Sequence, residues 1–152
     1  MNLLNELKKI NTIFVDTAPI IYYIEAHPLF GSLAKQVVET FESGILRAFS
    51  SVITLTEVLP KPIELGKEGL ANRFAEFLRR GKNLTLVEIS ADIAEKAGRL
   101  RGQYPYLKAM DAIQLAVAIE MEIEAFLTND KSLRQIKEIR IFILSDYLTE
   151  GR

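Results

Sequence analysis

Apolar and polar positions along the chain fall into short blocks whose period changes repeatedly. After an amphipathic opening from Asn2 to Lys9, the compact run Thr12, Ile13, Phe14, Val15 ends at Asp16 and predicts a buried strand. Thr17, Ala18 and Pro19 then lead into the apolar residues 20–24. A capping residue followed by Pro near the first turn opens a helix just past the strand. Between Pro28 and Ser43, Leu29, Leu33, Val37, Val38 and Phe41 recur at helical spacing, and Gly44 is placed to stop that helix. Residues 45–49 read as a second strand. Ser50 and Ser51 precede Val52, Ile53, Leu55, Val58 and Leu59, a short helix carrying Glu57 that Pro60 and Pro62 are expected to end.

The second half repeats this alternation. Leu70, Phe74, Phe77 and Leu78 share one face of a helix over 66–80, and 84–89 is a strand. Ser90 then caps a helix to about Gln103. From Lys108 to Met121 the residues Ala112, Ile113, Leu115, Ala116, Val117, Ala118 and Ile119 are apolar nearly all round, the pattern of a helix buried on most sides. Ala125 to Thr128 reads as a short strand ending at Asn129 and Asp130, Ser132 to Lys137 as a helical turn, and Arg140 to Leu144 as a last strand. Strands alternating with helices imply an α/β class, a three-layer α/β/α arrangement around a mostly parallel sheet with right-handed crossovers. In such sheets the active crevice lies at the carboxyl ends of the strands, where Asp16 and Asp130 fall.

The 152 residues match one domain spanning 1–152, long enough to bury a core without a disulfide or zinc staple. Apolar residues are 49% and charged residues 26%, which excludes global disorder. The net charge of −1 does not advertise nucleic acid, so such binding needs a local basic patch or a metal bridging to phosphate. Zero Cys excludes disulfides, thiolate zinc sites, Cys nucleophiles and iron-sulfur clusters, and a single His leaves little imidazole chemistry. No apolar run approaches the ~18 residues of a membrane span, and the first ten residues lack a secretory core. The expectation is a cytoplasmic protein with no membrane partner.

Four acids stand in apolar surroundings that do not call for them: Asp16 after IFV, Glu57 in LTEVL, Asp111 in KAMDAIQLA and Asp130 in FLTND. Taken singly, the three Asp residues each stand where a helix begins and suit a cap or a first-turn role, and Glu57 suits a solvent-facing position. Taken together they can face one crevice. Carboxylates within ~4 to 6 Å of one another raise each other's pKa, so a cluster implies a cation. With no Cys and one His, oxygen-only ligation favours Mg²⁺ or Mn²⁺. That chemistry suits phosphodiester hydrolysis.

The segments DTAPIIYYIE, SSVITLTEVL, MDAIQLAVAIE and AFLTNDKSL, in that order over nearly the whole chain, resemble the successive motifs of the PIN domain in its VapC toxin branch. The resemblance implies a PIN-like α/β/α fold and Mg²⁺- or Mn²⁺-dependent endoribonuclease activity on RNA. It also implies silencing by a cognate antitoxin, and a surface for a homodimer or for that antitoxin among the apolar residues of 28–80. Position by position, the family's catalytic and metal-binding acids fall on Asp16, Glu57, Asp111 and Asp130, with Thr128 as a supporting hydroxyl. The chain departs from many relatives at Ala18, where they carry Ser, and at Met110, where they carry Pro. Neither departure removes a carboxylate.

Other groups receive plainer readings. His27, followed by Pro28, reads as a surface turn residue. Tyr22, Tyr23, Tyr104 and Tyr106 suit packing as readily as stacking on bases. Arg79, Arg80 and Lys82 read as a solvated helix end. Lys61, Lys108 and Lys131 lie near the acids in sequence and are candidate phosphate contacts. A haloacid-dehalogenase-type phosphatase or a receiver domain would need an acidic pair where Ala18 stands. The remaining alternative is a catalytically inactive PIN-like module acting through RNA or protein binding.

Overall fold

The computed structural model describes residues 2–148. Its strands are β1 (Thr12–Val15), β2 (Arg47–Ser51), β3 (Leu84–Val87), β4 (Ala125–Thr128) and β5 (Arg140–Ile143), paired entirely in parallel in the order β3-β2-β1-β4-β5. The helices are α1 (Leu3–Leu7), α2 (Thr17–Ile24), α3 (Gly31–Glu42), α4 (Val52–Val58), α5 (Pro60–Glu64), α6 (Glu68–Arg80), α7 (Ala91–Gln103) and α8 (Ala109–Glu120). Short 3₁₀ turns follow β4 at Lys131–Gln135 and β5 at Leu144–Tyr147.

The period-2 geometry of the central strands divides the core into two layers. Ile13 and Val15 of β1, with Ala125 and Leu127 of β4, face a cluster built on α1, α2, α3 and α6 that includes Leu7, Ile20, Val37, Phe41 and Phe74. Phe14 and Phe126 face the other way, toward Ile93, Leu100, Leu115 and Val117 of α7 and α8. Their rings stack at 5.2 Å and nearly parallel, locking the two central strands side by side. The short strands are continuous apolar runs because both faces of the sheet are covered. This is the three-layer α/β/α arrangement expected from the alternation of periods.

Two local expectations need correction, whereas the helix that carries Glu57 ends at Val58, ahead of Pro60, as expected; Pro60 also begins α5, with Leu59 flanking both helices. Pro at the first helical position loses nothing, because its missing N–H would have had no partner there. The second strand lies at Arg47–Ser51 instead of 45–49: Ile45 is exposed in the turn after Gly44, whereas Ser50 and Ser51 pair with Leu86 and Val87. The helix expected from Pro28 begins only at Gly31, because His27 and Pro28 belong to the turn before it. His27 itself is half-buried. Its Nδ1 accepts from the backbone N–H groups of Leu29 and Phe30 at 3.0 and 3.1 Å, and its ring packs on Tyr22 and Phe30.

Candidate active site

Parallel pairing puts the ends of β1, β2 and β4 on one edge of the sheet, and the residues just past those ends build the site. Asp16 leaves β1 with its N–H donated to the Leu127 carbonyl of β4 at 2.9 Å. It caps α2, its Oδ1 accepting from Thr17 N–H at 2.9 Å, and its Oδ2 accepts from the Thr128 hydroxyl at 2.9 Å. The side chain is buried, at 8% exposure. Thr128, at the end of β4, also accepts from Asp130 N–H at 3.1 Å, so one hydroxyl ties the first and fourth acids to the same strand end.

Glu57 projects from α4, and its Oε1 accepts from the Thr17 hydroxyl. Asp130 caps the 3₁₀ turn after β4 through Oδ1, which accepts from both Ser132 N–H and the Ser132 hydroxyl. Asp111 is different. It lies in the first turn of α8 behind the cap position, which Lys108 occupies without a side-chain bond, so the capping role open to it from sequence is not the one it has. Its carboxylate accepts no hydrogen bond among the described residues, and Glu57 Oε2 and Asp130 Oδ2 are likewise free there. None of the four acids joins an ion pair among the described residues.

Burial pushes the Asp16 carboxyl up to about 7, helped by the like charges of Asp111 and Glu57 and opposed by the bonds from Thr17 and Thr128. Asp111 is raised for the same reasons: burial first, then the charges of Asp130 and Glu57, with Lys108 acting the other way. Parallel pairing brings Asp16 and Asp130 to the same ends of β1 and β4, and Asp111 and Glu57 lie near enough to act on Asp16 electrostatically. The four acids are not drawn into a coordination shell, since no group of three or more acidic or imidazole side chains among the described residues is placed to hold a metal ion. Glu57 and Asp130 are instead turned onto neighbouring hydroxyl groups.

Of the three candidate lysines, Lys108 reaches the acids electrostatically. Lys131 is exposed and acts on Asp146, and Lys61 is exposed on α5 with no hydrogen bond to the acids among the described residues. Of the large apolar residues of 28–80, Leu29, Ile45, Ile63 and Leu65 are exposed, whereas Leu33, Phe41 and Phe74 belong to the core.

Five polar residues beside the acids have hydrogen-bonding roles that sequence reasoning did not assign. Thr17 orients Glu57. Ser50, Ser51, Thr54 and Gln114 form a fully buried hydrogen-bonded set between β2, α4 and α8, with Thr17 outside it. The signal was present: Gln114 is the polar interruption in a helix otherwise apolar nearly all round.

A family model for the PIN domain matches residues 13–139. The chain belongs to the PIN-domain family. Its fold is similar to that of VapBC2 from Rickettsia felis bound to a DNA fragment from its promoter, at 20% identity and TM-score 0.71, over 87% of this chain and 98% of that one. A toxin-antitoxin complex from Klebsiella pneumoniae is similar at 27% identity and TM-score 0.65, over 87% and 97%. VapC20 of Mycobacterium tuberculosis, described as a Sarcin-Ricin loop cleaving toxin, is similar at 22% identity and TM-score 0.64, over 84% and 98%. A comparison with curated proteins finds no match. No helix of this PIN domain, among the described residues, is long and apolar enough to cross a membrane.

Proposed function

We propose that this PIN domain is a Mg²⁺- or Mn²⁺-dependent endoribonuclease, the toxin of a type II toxin-antitoxin pair, acting in the cytoplasm as a single domain over 1–152. The observation that carries the reading is Asp16: a buried carboxylate at the end of the central strand, without a cationic partner, in the fields of Asp111 and Glu57. Such an arrangement is unfavourable alone and favourable around a cation. The donors fit a hard divalent ion, since every candidate ligand is an oxygen and Asp111, Glu57 and Asp130 each keep at least one carboxylate oxygen free among the described residues. A divalent ion held there supplies Lewis-acid polarisation of the phosphoryl group and a nucleophilic water at neutral pH.

The chain's own groups then have distinct tasks. Asp16, Asp111, Glu57 and Asp130 hold the ion. Thr17 N–H and the Thr128 hydroxyl fix the plane of the Asp16 carboxylate, and the Thr17 hydroxyl fixes Glu57. Lys108, beside Asp111, contacts a phosphate of the substrate, with Lys131 and Lys61 further along the strand of RNA. The toxin-antitoxin complexes among the similar structures support an antitoxin partner, and VapC20 supports RNA as substrate. Exposed Leu29, Ile63 and Leu65 support a protein-contacting face, for the antitoxin or for a second copy.

The test is cleavage of single-stranded or looped RNA by antitoxin-free protein. Cleavage with Mg²⁺ or Mn²⁺ that stops in EDTA and in Asp111→Asn supports the reading, and cleavage surviving exhaustive chelation overturns it. A second reading, an inactive PIN-like module, is favoured by one observation: Glu57 and Asp130 are engaged with Thr17 and Ser132. It predicts RNA or protein binding without turnover under any metal.

A further inference from the structure

The helix α8 is built for apolar packing: Ala112, Leu115, Ala116, Val117 and Ala118 are all fully buried, yet Gln114 among them is 1% exposed. Its amide is hydrogen-bonded at both ends. Oε1 accepts from the Ser51 hydroxyl, and Nε2 donates to Thr54 Oγ1 at 2.8 Å. Thr54 Oγ1 also accepts from the Ser50 hydroxyl at 2.9 Å, and Ser51 Oγ caps α4 by accepting from Ile53 N–H at 3.1 Å. Ser50, Ser51 and Thr54 are fully buried. A helix could be packed here by an apolar residue of the same volume, so the polar set is doing something that packing does not require.

Its place relative to the acids suggests what. Gln114 lies three residues after Asp111 on α8, and Thr54 three residues before Glu57 on α4, so each is one turn from its acid on the same face. The bridge therefore joins the two helices one turn from a pair of carboxylates that repel each other. Apolar contact is non-directional and lets helices slide, whereas a hydrogen bond in a dry interior is directional and fixes distance and register.

We propose that Gln114 is a positioning residue that holds α8 against α4 and so sets the separation of Asp111 and Glu57 at which a divalent cation binds. The proposal rests on the nuclease reading above. It gives the amide no contact with substrate or metal.

The experiment compares wild type, Gln114→Met and the triple variant Ser50→Ala/Thr54→Val/Gln114→Met. Each is measured by thermal unfolding, calorimetric titration with Mn²⁺ alone, and steady-state RNA cleavage. Gln114→Met should fold, bind Mn²⁺ about 10- to 100-fold more weakly and lose kcat while KM for RNA stays near wild type. The triple variant removes the Ser50 and Thr54 hydroxyls and leaves Ser51 as the one stranded group of the set, so it should regain part of the lost melting temperature without regaining Mn²⁺ affinity. Mn²⁺ affinity within about twofold of wild type in a folded Gln114→Met overturns the proposal, as does recovery of affinity together with stability in the triple variant. A wild type that binds no Mn²⁺ and cleaves no RNA overturns the nuclease reading and this proposal with it. An active wild type with unchanged variants overturns the positioning role alone.

Discussion

Replacing Asp16 with Asn tests the electrostatics of the site through stability, independently of activity. In the metal-free protein the Asp16 carboxyl is held up at about 7 against an ordinary 3.8. A carboxyl raised on folding keeps its proton in the folded state at pH values where the unfolded chain has lost it. Stability therefore falls as pH rises from about 4 through 7 and is constant above. At about 1.4 kcal/mol per pH unit the full cost above pH 7 is on the order of 4 kcal/mol, of which roughly 1.5 is already present at pH 5. Asn keeps the volume and the acceptor for Thr17 N–H, and it does not ionise. Its Nδ2 faces Thr128 Oγ1, which already accepts from Asp130 N–H, so the hydroxyl proton loses its acceptor at a cost of about 1–2 kcal/mol. In EDTA, wild type and Asp16→Asn should unfold with nearly equal free energies at pH 5. At pH 8 the variant should be more stable by roughly 2–3 kcal/mol, or roughly 5–10 °C in melting temperature. Urea unfolding at half-unit steps from pH 5 to 8 measures the difference. Taking the difference cancels groups common to both proteins, including Asp146 and Glu138, whose lowered pKa values give pH slopes of opposite sign. A constant offset across that range would show that Asp16 carries no burial or like-charge penalty, and the argument for a cation would lose its support.

Asp111→Ala should leave stability in EDTA unchanged or raised, because the residue caps nothing, and thermal melts with Mn²⁺ should show a stabilisation in wild type that shrinks sharply in the variant. Equal Mn²⁺ shifts in both would remove Asp111 from the site. Thr128→Val keeps the shape and deletes the hydroxyl that serves both Asp16 and Asp130, so denaturant unfolding should show a loss of about 1–3 kcal/mol, accompanied by a drop in RNA cleavage. Two glycines give opposite signs in the same assay. Gly98→Ala at an exposed position of α7, where an added Cβ meets nothing within 4 Å, should stabilise by about 0.5–1 kcal/mol. Gly81→Ala, whose Cβ would lie 2.5 Å from the Phe77 carbonyl oxygen, should destabilise by about 1–3 kcal/mol.

The layer architecture was legible in the sequence because it depends on local periodicity. Runs such as IFV and AFLT can only be doubly buried strands once helical blocks separate them, and parallel pairing follows from the connections between them. The four acids stand out in the sequence because a charge in an apolar run marks a position that packing alone would not choose, but only the structure shows that Asp16 is buried and Asp111 half-buried whereas Glu57 and Asp130 are exposed. Capping was less legible. Sequence places Asp16, Asp111 and Asp130 equally at helix starts, but a one-residue shift in the backbone decides whether a side chain reaches the first free N–H groups, and only Asp16 and Asp130 do so. Pro60 marked the end of α4 in the sequence, but the helix α5 that it also begins was not read, since Pro suits the end of one helix and the start of the next equally well. Gln114 was written in the sequence as a polar residue in an apolar helix, but its partners Ser51 and Thr54 lie about sixty positions away, on elements that meet only when β2 and α8 pack together. Composition and period act over a few residues and fix elements; hydrogen bonds between buried side chains require directions in three dimensions, and those are set by the packed chain.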